Sequence, residues 1–253
     1  MWFLLIASTV LLEASVSTHP SKNHGKIKPK VQAVRLRSKN HLAKKPSAAT
    51  SGGDILDDDY DYEQFCPRRV DAFVTVHRDS FLFAGGDVYV IRKDRINSLE
   101  YIGEVFLKGP ASVDAALYDK NRKIVVLIKG RTVYAFKRRP GLRFLLLNKF
   151  PVRLSPTVPF TPAGGMTWRD NRLLLLSSDG RFGIYDEFLN HSLMVANVSD
   201  YFTGLPKRVR GISSWENGEA RIYTKHHVYI YRNDTNKVLG KGVRTASFLK
   251  CTL

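Results

Sequence analysis

Residues 113–136, VDAALYDKNRKIVVLIKGRTVYAF, hold short runs of β-branched, aromatic and other apolar residues separated by Lys129-Gly130. Runs of this length, broken by a glycine-containing dipeptide, read as strands joined by a hairpin. The arrangement recurs: Gly85 precedes Tyr89, Gly130 precedes Tyr134, Gly180 precedes Ile184 and Lys225 precedes Tyr229, at steps of 45, 50 and 45 residues. A second register runs ahead of it as Val70-Asp71-Ala72, Val113-Asp114-Ala115, Pro162-Ala163-Gly164 and Val209-Arg210-Gly211. Units of about 45 residues with four short strands each predict one propeller blade apiece. The third residue of each triplet is Ala or Gly, as expected of innermost strands that crowd an axis. The units place blades at about 66–110, 111–156, 157–207 and 208–253, so the predicted fold is an all-β, four-bladed β-propeller. A β-sandwich, the competing reading, would show regularly spaced strands without this period. Helical periodicity is scarce, and the best candidate is a turn or two within 195–202.

The apolar run WFLLIASTVLL at residues 2–12, followed by small residues to Ser17, reads as a signal peptide over 1–17 and predicts a secreted protein. Three N-x-[ST] triplets, at Asn190, Asn197 and Asn233, agree with export and are candidate N-glycosylation sites. No later run approaches the length of a membrane helix, so no transmembrane anchor is expected. The chain has only two cysteines, Cys66 and Cys251. In an oxidising compartment they predict one disulfide, which joins the first predicted blade to the last.

Residues 18–53 carry nine Lys and Arg, no acid and no aromatic residue, and read as a disordered basic arm. Residues 54–65 form an acidic linker in which DILDDDYDYE surrounds Tyr60 and Tyr62 with six acids. Either tyrosine is a candidate for sulfation; the alternative is a solvated linker that keeps the arm from clinging to the domain.

The four-unit stretch beginning CPRRVDAF, passing through FLFAGGDVYVI and ending SFLKC resembles the hemopexin-like domain, which occurs in hemopexin, vitronectin and the C-terminal part of secreted matrix metalloproteinases. The resemblance covers residues 66–251 and implies a four-bladed propeller whose first and last blades are joined by one disulfide. It also implies a central channel lined by main-chain carbonyls that holds calcium, sodium or chloride. The carbonyls of Asp71 and Asp114 are the candidate ligands. The chain departs from the family pattern: Val90, Ala135 and Ile230 stand where Trp usually follows the strand tyrosine, and Ala163 and Arg210 replace the triplet Asp in the last two units.

No H-E-x-x-H, P-loop, G-x-S-x-G or dinucleotide fingerprint is present, so the reading is non-enzymatic and no cofactor is required. The seven histidines show no metal-ligand spacing. His226-His227 would place one imidazole on each face of a strand; they read as ordinary strand residues, with haem binding as the alternative.

Charge is the remaining signal. The chain carries +17, of which residues 1–65 supply nine basic against seven acidic side chains. That leaves the propeller with 31 against 16, a net +15. A secreted domain with this field attracts polyanions, and outside cells these are heparin-like glycosaminoglycans and anionic cell surfaces, not nucleic acid. The candidate binding residues are Arg92, Lys93 and Arg95; Lys137, Arg138, Arg139 and Arg143; and Lys207, Arg208 and Arg210. The functional reading is a secreted module that binds an extracellular protein or matrix component together with sulfated glycan. Haem scavenging and a regulatory or inhibitory relative of the metalloproteinase C-terminal domain are the alternatives.

Overall fold

The computed structural model describes residues 66–141, 143–185 and 191–251. The expected signal peptide, basic arm and acidic linker, with Tyr60 and Tyr62, lie outside these residues, as does Asn190.

Four sheets, antiparallel apart from one strand pair, follow one another along the chain. Blade 1 contains β1 (Ala72–Val76), β2 (Asp79–Ala84), β3 (Asp87–Arg92) and β4 (Arg95–Tyr101), and leads into a single helical turn, α1 (Ile102–Val105). Blade 2 contains β5 (Phe106–Leu107), β6 (Ala115–Asp119), β7 (Ile124–Lys129), β8 (Thr132–Arg138), β9 (Phe144–Leu146) and β10 (Val152–Arg153). Blade 3 contains β11 (Gly164–Thr167), β12 (Leu173–Leu176), β13 (Arg181–Tyr185) and β14 (Ser192–Asn197), followed by α2 (Val198–Tyr201). Blade 4 contains β15 (Gly211–Ile212), β16 (Glu219–Tyr223), β17 (His227–Arg232) and β18 (Lys237–Arg244), followed by α3 (Thr245–Phe248). One detail departs from the 45-residue count: β5 falls in the first unit by sequence, yet pairs in parallel with β9 of the second sheet.

Each blade buries both faces, and this explains the unbroken apolar run IVVLI in β7. Successive strand side chains point to opposite faces, so Val125 and Leu127 enter the seam with blade 1, while Ile124, Val126 and Ile128 enter the seam with blade 3. Leu174 and Leu176 face blade 4, whereas Leu173 and Leu175 face blade 2. A strand exposed on one face would have alternated polar with apolar residues. Among the described residues the four seams are unequal. The seam between blades 1 and 2 buries seventeen apolar side chains, and the seam between blades 4 and 1 buries eight.

The inner strands β1, β6, β11 and β15 pack on one another around the axis. Their beginnings meet at one mouth, here the proximal one, where Arg210 reaches the carbonyl of Ala163. Their ends meet at the distal mouth, where Thr75, Tyr118, Thr167 and Ser213 border a narrow cavity of about 20 Å³. The crowding expected of the triplets is present. A Cβ on Gly211 would lie 2.2 Å from the Phe73 carbonyl oxygen, and one on Gly164 would lie 2.0 Å from that of Val209. The ring closes between blades 4 and 1. Val70 donates its N–H to Lys225 O at 2.8 Å, Phe73 donates to Arg210 O at 3.2 Å, and Phe73 stacks on Tyr223 at 3.7 Å. A Cys66–Cys251 disulfide, with Cα atoms 5.8 Å apart, completes the closure.

Candidate polyanion-binding face

The parallel course of the inner strands gives the ring two unlike faces. Turns that join first to second and third to fourth strands fall on the distal face. There the sequence places His77-Arg78, Lys93-Asp94 and Lys120–Lys123, with Arg139 and Arg143 flanking the turn after β8. The β3–β4 turn has only two residues, because Arg92 pairs with Arg95. Both central residues, Lys93 and Asp94, have positive φ (49° and 58°). That is the tight primed turn favoured by twisted hairpins, here without the usual glycine. It holds Lys93 out at the rim of the blade.

Asp79, the first residue of β2, organises this face. Its carboxylate is buried (side chain 6% exposed) and takes one hydrogen bond from Arg92 Nε and one from Arg138 Nη2, both at 2.5 Å. Arg92 lies in blade 1 and Arg138 in blade 2, so one buried acid joins two basic clusters that lie far apart in sequence. Burial on its own would raise the Asp79 carboxyl, but the two guanidinium hydrogen bonds and charges outweigh it and hold the group below its ordinary 3.8. Beside this pair, His77 Nε2 and the Tyr118 hydroxyl are 3.0 Å apart across the same blade boundary. Burial raises the Tyr118 phenol, which stays neutral and available as a donor.

Two grooves meet at Arg138. The larger, of about 750 Å³, is bordered by Arg78, Arg92, Lys93, Asp94, Arg138 and Arg221. The smaller, of about 310 Å³, is bordered by His77, Tyr118, Arg122, Lys123, Lys137 and Arg138. Part of this charge is already matched: Arg122 binds Asp119 at 2.5 Å and Arg221 binds Asp94 at 2.9 Å. Among the described residues Arg78, Lys93, Lys123 and Lys137 are exposed and have no ion-pair partner. Of the cations that border the two grooves, these four are free to meet an external anion, and Lys120, Arg139 and Arg143 stand exposed beside them. Lys93 and Lys137 are among the candidates the sequence offers, whereas Arg78, Lys123, Arg122 and Arg221 come to these grooves only through the fold. The repeat is the sequence signal for them, since 77–78 and 120–123 are the same turn in consecutive blades.

The third predicted cluster lies elsewhere. Lys207 and Arg208 are exposed at the proximal mouth, and Arg210 is partly buried in it. Asp71 accepts a hydrogen bond from Gly85 N at 2.8 Å, and Asp114 accepts one from Gly130 N at 2.7 Å. Each carboxylate thus braces the β-turn of its own blade. Asn197 is exposed and donates to Asp200 at 3.0 Å, while Asn233 is partly buried and accepts from Arg169. The expected division of His226 and His227 between two strand faces is not found. His226 sits in the turn before β17, and both rings border a groove of about 560 Å³ with Arg68 and Arg244.

The Asp79 pair makes a pH prediction. A carboxyl whose folded value is depressed contributes stability above its unfolded value, and that stability is lost as pH falls through the folded value. The melting temperature should therefore hold steady from neutral pH to about pH 4 and fall below it. Asp79→Asn should be less stable by about 2 kcal/mol at neutral pH, a figure discounted because Arg92 is 46% exposed. Calorimetry at pH 7 and pH 3 checks this: equal losses for both proteins on acidification would remove Asp79 as the titrating group.

Among the described residues no helix is long and apolar enough to cross a membrane. No family model matches the chain. Over 188 residues the chain is 28% identical to matrix metalloproteinase-C of Caenorhabditis elegans, an alignment covering 74% of this chain. The chain spans about a third (32%) of that relative's length. Among solved structures, a hemopexin-fold protein from cow pea matches with a TM-score of 0.59 at 12% identity, covering 73% of this chain and 96% of the other. A 2S albumin seed protein from Dolichos matches with a TM-score of 0.60 at 14% identity, covering 72% and 97%.

Proposed function

Since residues 66–251 form a hemopexin-like domain, we propose that the protein is a secreted, non-enzymatic binding module whose distal face takes heparin-like sulfated glycan beside an extracellular protein or matrix partner. The observation that carries this is the joining of two blades' basic clusters through Asp79, with Arg78, Lys93, Lys123 and Lys137 left unmatched around them. A sulfated chain presents closely spaced anions along a flexible backbone. A groove lined by separated cations meets it by releasing counterions, which makes binding steeply salt-dependent. Arginine adds planar recognition of sulfate oxygens, and lysine adds compact point charge.

Immobilised heparin tests the proposal. The full chain should elute at about 0.5 M NaCl or higher, well above physiological ionic strength. A quadruple variant, Arg78→Ala, Lys93→Asn, Lys123→Asn and Lys137→Ala, should elute far earlier, with its salt slope reduced by about four. Asn is chosen at positions 93 and 123 because both have positive φ, a conformation Asn tolerates. The control, Lys207→Ala with Arg208→Asn, removes charge from the opposite mouth and should change elution little. A control loss of about half the quadruple variant's, in proportion to two charges removed against four, would reduce the effect to overall charge, and elution of the unaltered chain at physiological salt would overturn the proposal.

A further inference from the structure

The resemblance to the hemopexin-like family implied an axial ion at the proximal mouth, on the carbonyls of Asp71 and Asp114. The residues at that mouth do not fit a metal cation. We infer that Arg210 is itself the resident cation of the axis, a guanidinium supplied by the chain where a metal ion would otherwise be held.

The four triplets place Asp71, Asp114, Ala163 and Arg210 at equivalent positions, immediately before β1, β6, β11 and β15. Arg210 belongs to blade 4, yet its Nη1 donates to the main-chain oxygen of Ala163 in blade 3. It has thus taken one of the carbonyls that would coordinate an axial metal. Its backbone is held on both sides, its N–H donating to Tyr223 O at 2.7 Å and its carbonyl accepting from Phe73 N at 3.2 Å. On its other side Gly211 packs against the backbone of Phe73.

The electrostatics agree. Asp71 and Asp114 supply the negative field that faces the guanidinium, while Arg69 and Arg208 add positive charge around it. Both carboxylates are already engaged: Asp71 with Arg69 at 3.1 Å, Asp114 with Lys129 at 3.0 Å, and each with the turn amide of its own blade. A divalent ion entering this mouth would meet a fixed guanidinium, a lost carbonyl and carboxylates turned elsewhere. Burial lowers the Arg210 value and the two aspartates oppose that; arginine remains charged throughout the working pH range. Arg210 Nε is buried without an acceptor, so the guanidinium is held by the mouth's overall shape and field more than by full hydrogen bonding.

Melting of the full chain tests this, after treatment with EDTA, in calcium chloride, sodium chloride or choline chloride at matched ionic strength. The unaltered protein should melt at the same temperature in all three. Arg210→Ala frees the Ala163 carbonyl and removes the fixed positive charge from the mouth, so it should gain a calcium-dependent rise of about 5 °C, reversed by EDTA. Arg210→Lys keeps the charge and should stay insensitive. If Arg210→Ala does not accumulate, Arg210→Met keeps most of the apolar stem and takes its place. Calcium stabilisation of the unaltered protein would overturn the inference. So would a folded Arg210→Ala or Arg210→Met that ignores calcium and sodium alike.

Discussion

Replacing Cys251 with serine is expected to lower the unfolding free energy by about 5 kcal/mol and the melting temperature by about 10–20 °C. The crosslink spans 185 residues, and in the chain-entropy account a longer closed loop removes more freedom from the unfolded chain. The seam it secures has little else to hold it. Among the described residues the boundary between blades 4 and 1 buries eight apolar side chains, fewer than half of the seventeen between blades 1 and 2. Other ties across it include the Val70–Lys225 and Phe73–Arg210 backbone bonds, the Phe73–Tyr223 stack, the Arg221–Asp94 ion pair and the contact of His226 Nδ1 with Arg68 O at 3.3 Å. Calorimetry of the variant, and of the unaltered protein in reductant, measures the loss. Hydrogen exchange should show the amides of Val70 and Phe73 opening before those of Val125 and Leu127. A loss of only a degree or two would mean that packing alone closes the ring.

The second large effect is at the axis. Gly211→Ala should destabilise the protein by about 3 kcal/mol, lowering the melting temperature by about 6–12 °C. The added Cβ would sit 2.2 Å from the Phe73 carbonyl oxygen and 2.8 Å from its carbonyl carbon. These are backbone atoms and no rotamer change moves them. The two inner strands must separate, stretching the Phe73 N–H bond to Arg210 O and disturbing the stack on Tyr223. Gly103→Ala is the control. It lies in α1 with nothing within 4 Å of the new methyl, so it should be neutral or slightly stabilising. Similar melting temperatures for the two variants would mean that the axis relaxes more easily than its close packing implies.

The blades were legible because their cause is local and repeated. Each unit spells its second hairpin with a turn followed by an apolar strand, and each inner strand begins with a residue small enough for the axis. Interactions between distant residues were not legible. Asp79 follows His77-Arg78 with no local sign of its role, since its partners Arg92 and Arg138 lie 13 and 59 residues away. Arg210 reads as part of a basic run with Lys207 and Arg208, but the strand beginning at Gly211 turns it into the axis while its neighbours stay in solvent. The Lys93-Asp94 turn carries no glycine to announce it. The helix expected within 195–202 shrinks to Val198–Tyr201, because Val195 and Ala196 are taken by pairing with β13.

The common direction of the inner strands has a further consequence for how the molecule would sit on a surface. Val70 and the Lys225-His226 turn mark the side on which Cys66 and Cys251 are joined, and Arg78, Lys93 and Lys123 mark the opposite side. A ring lying with its basic side against a charged layer would present its sutured side outward. The Cys66–Cys251 bond would then face away from that layer, fixing which way up the module stands.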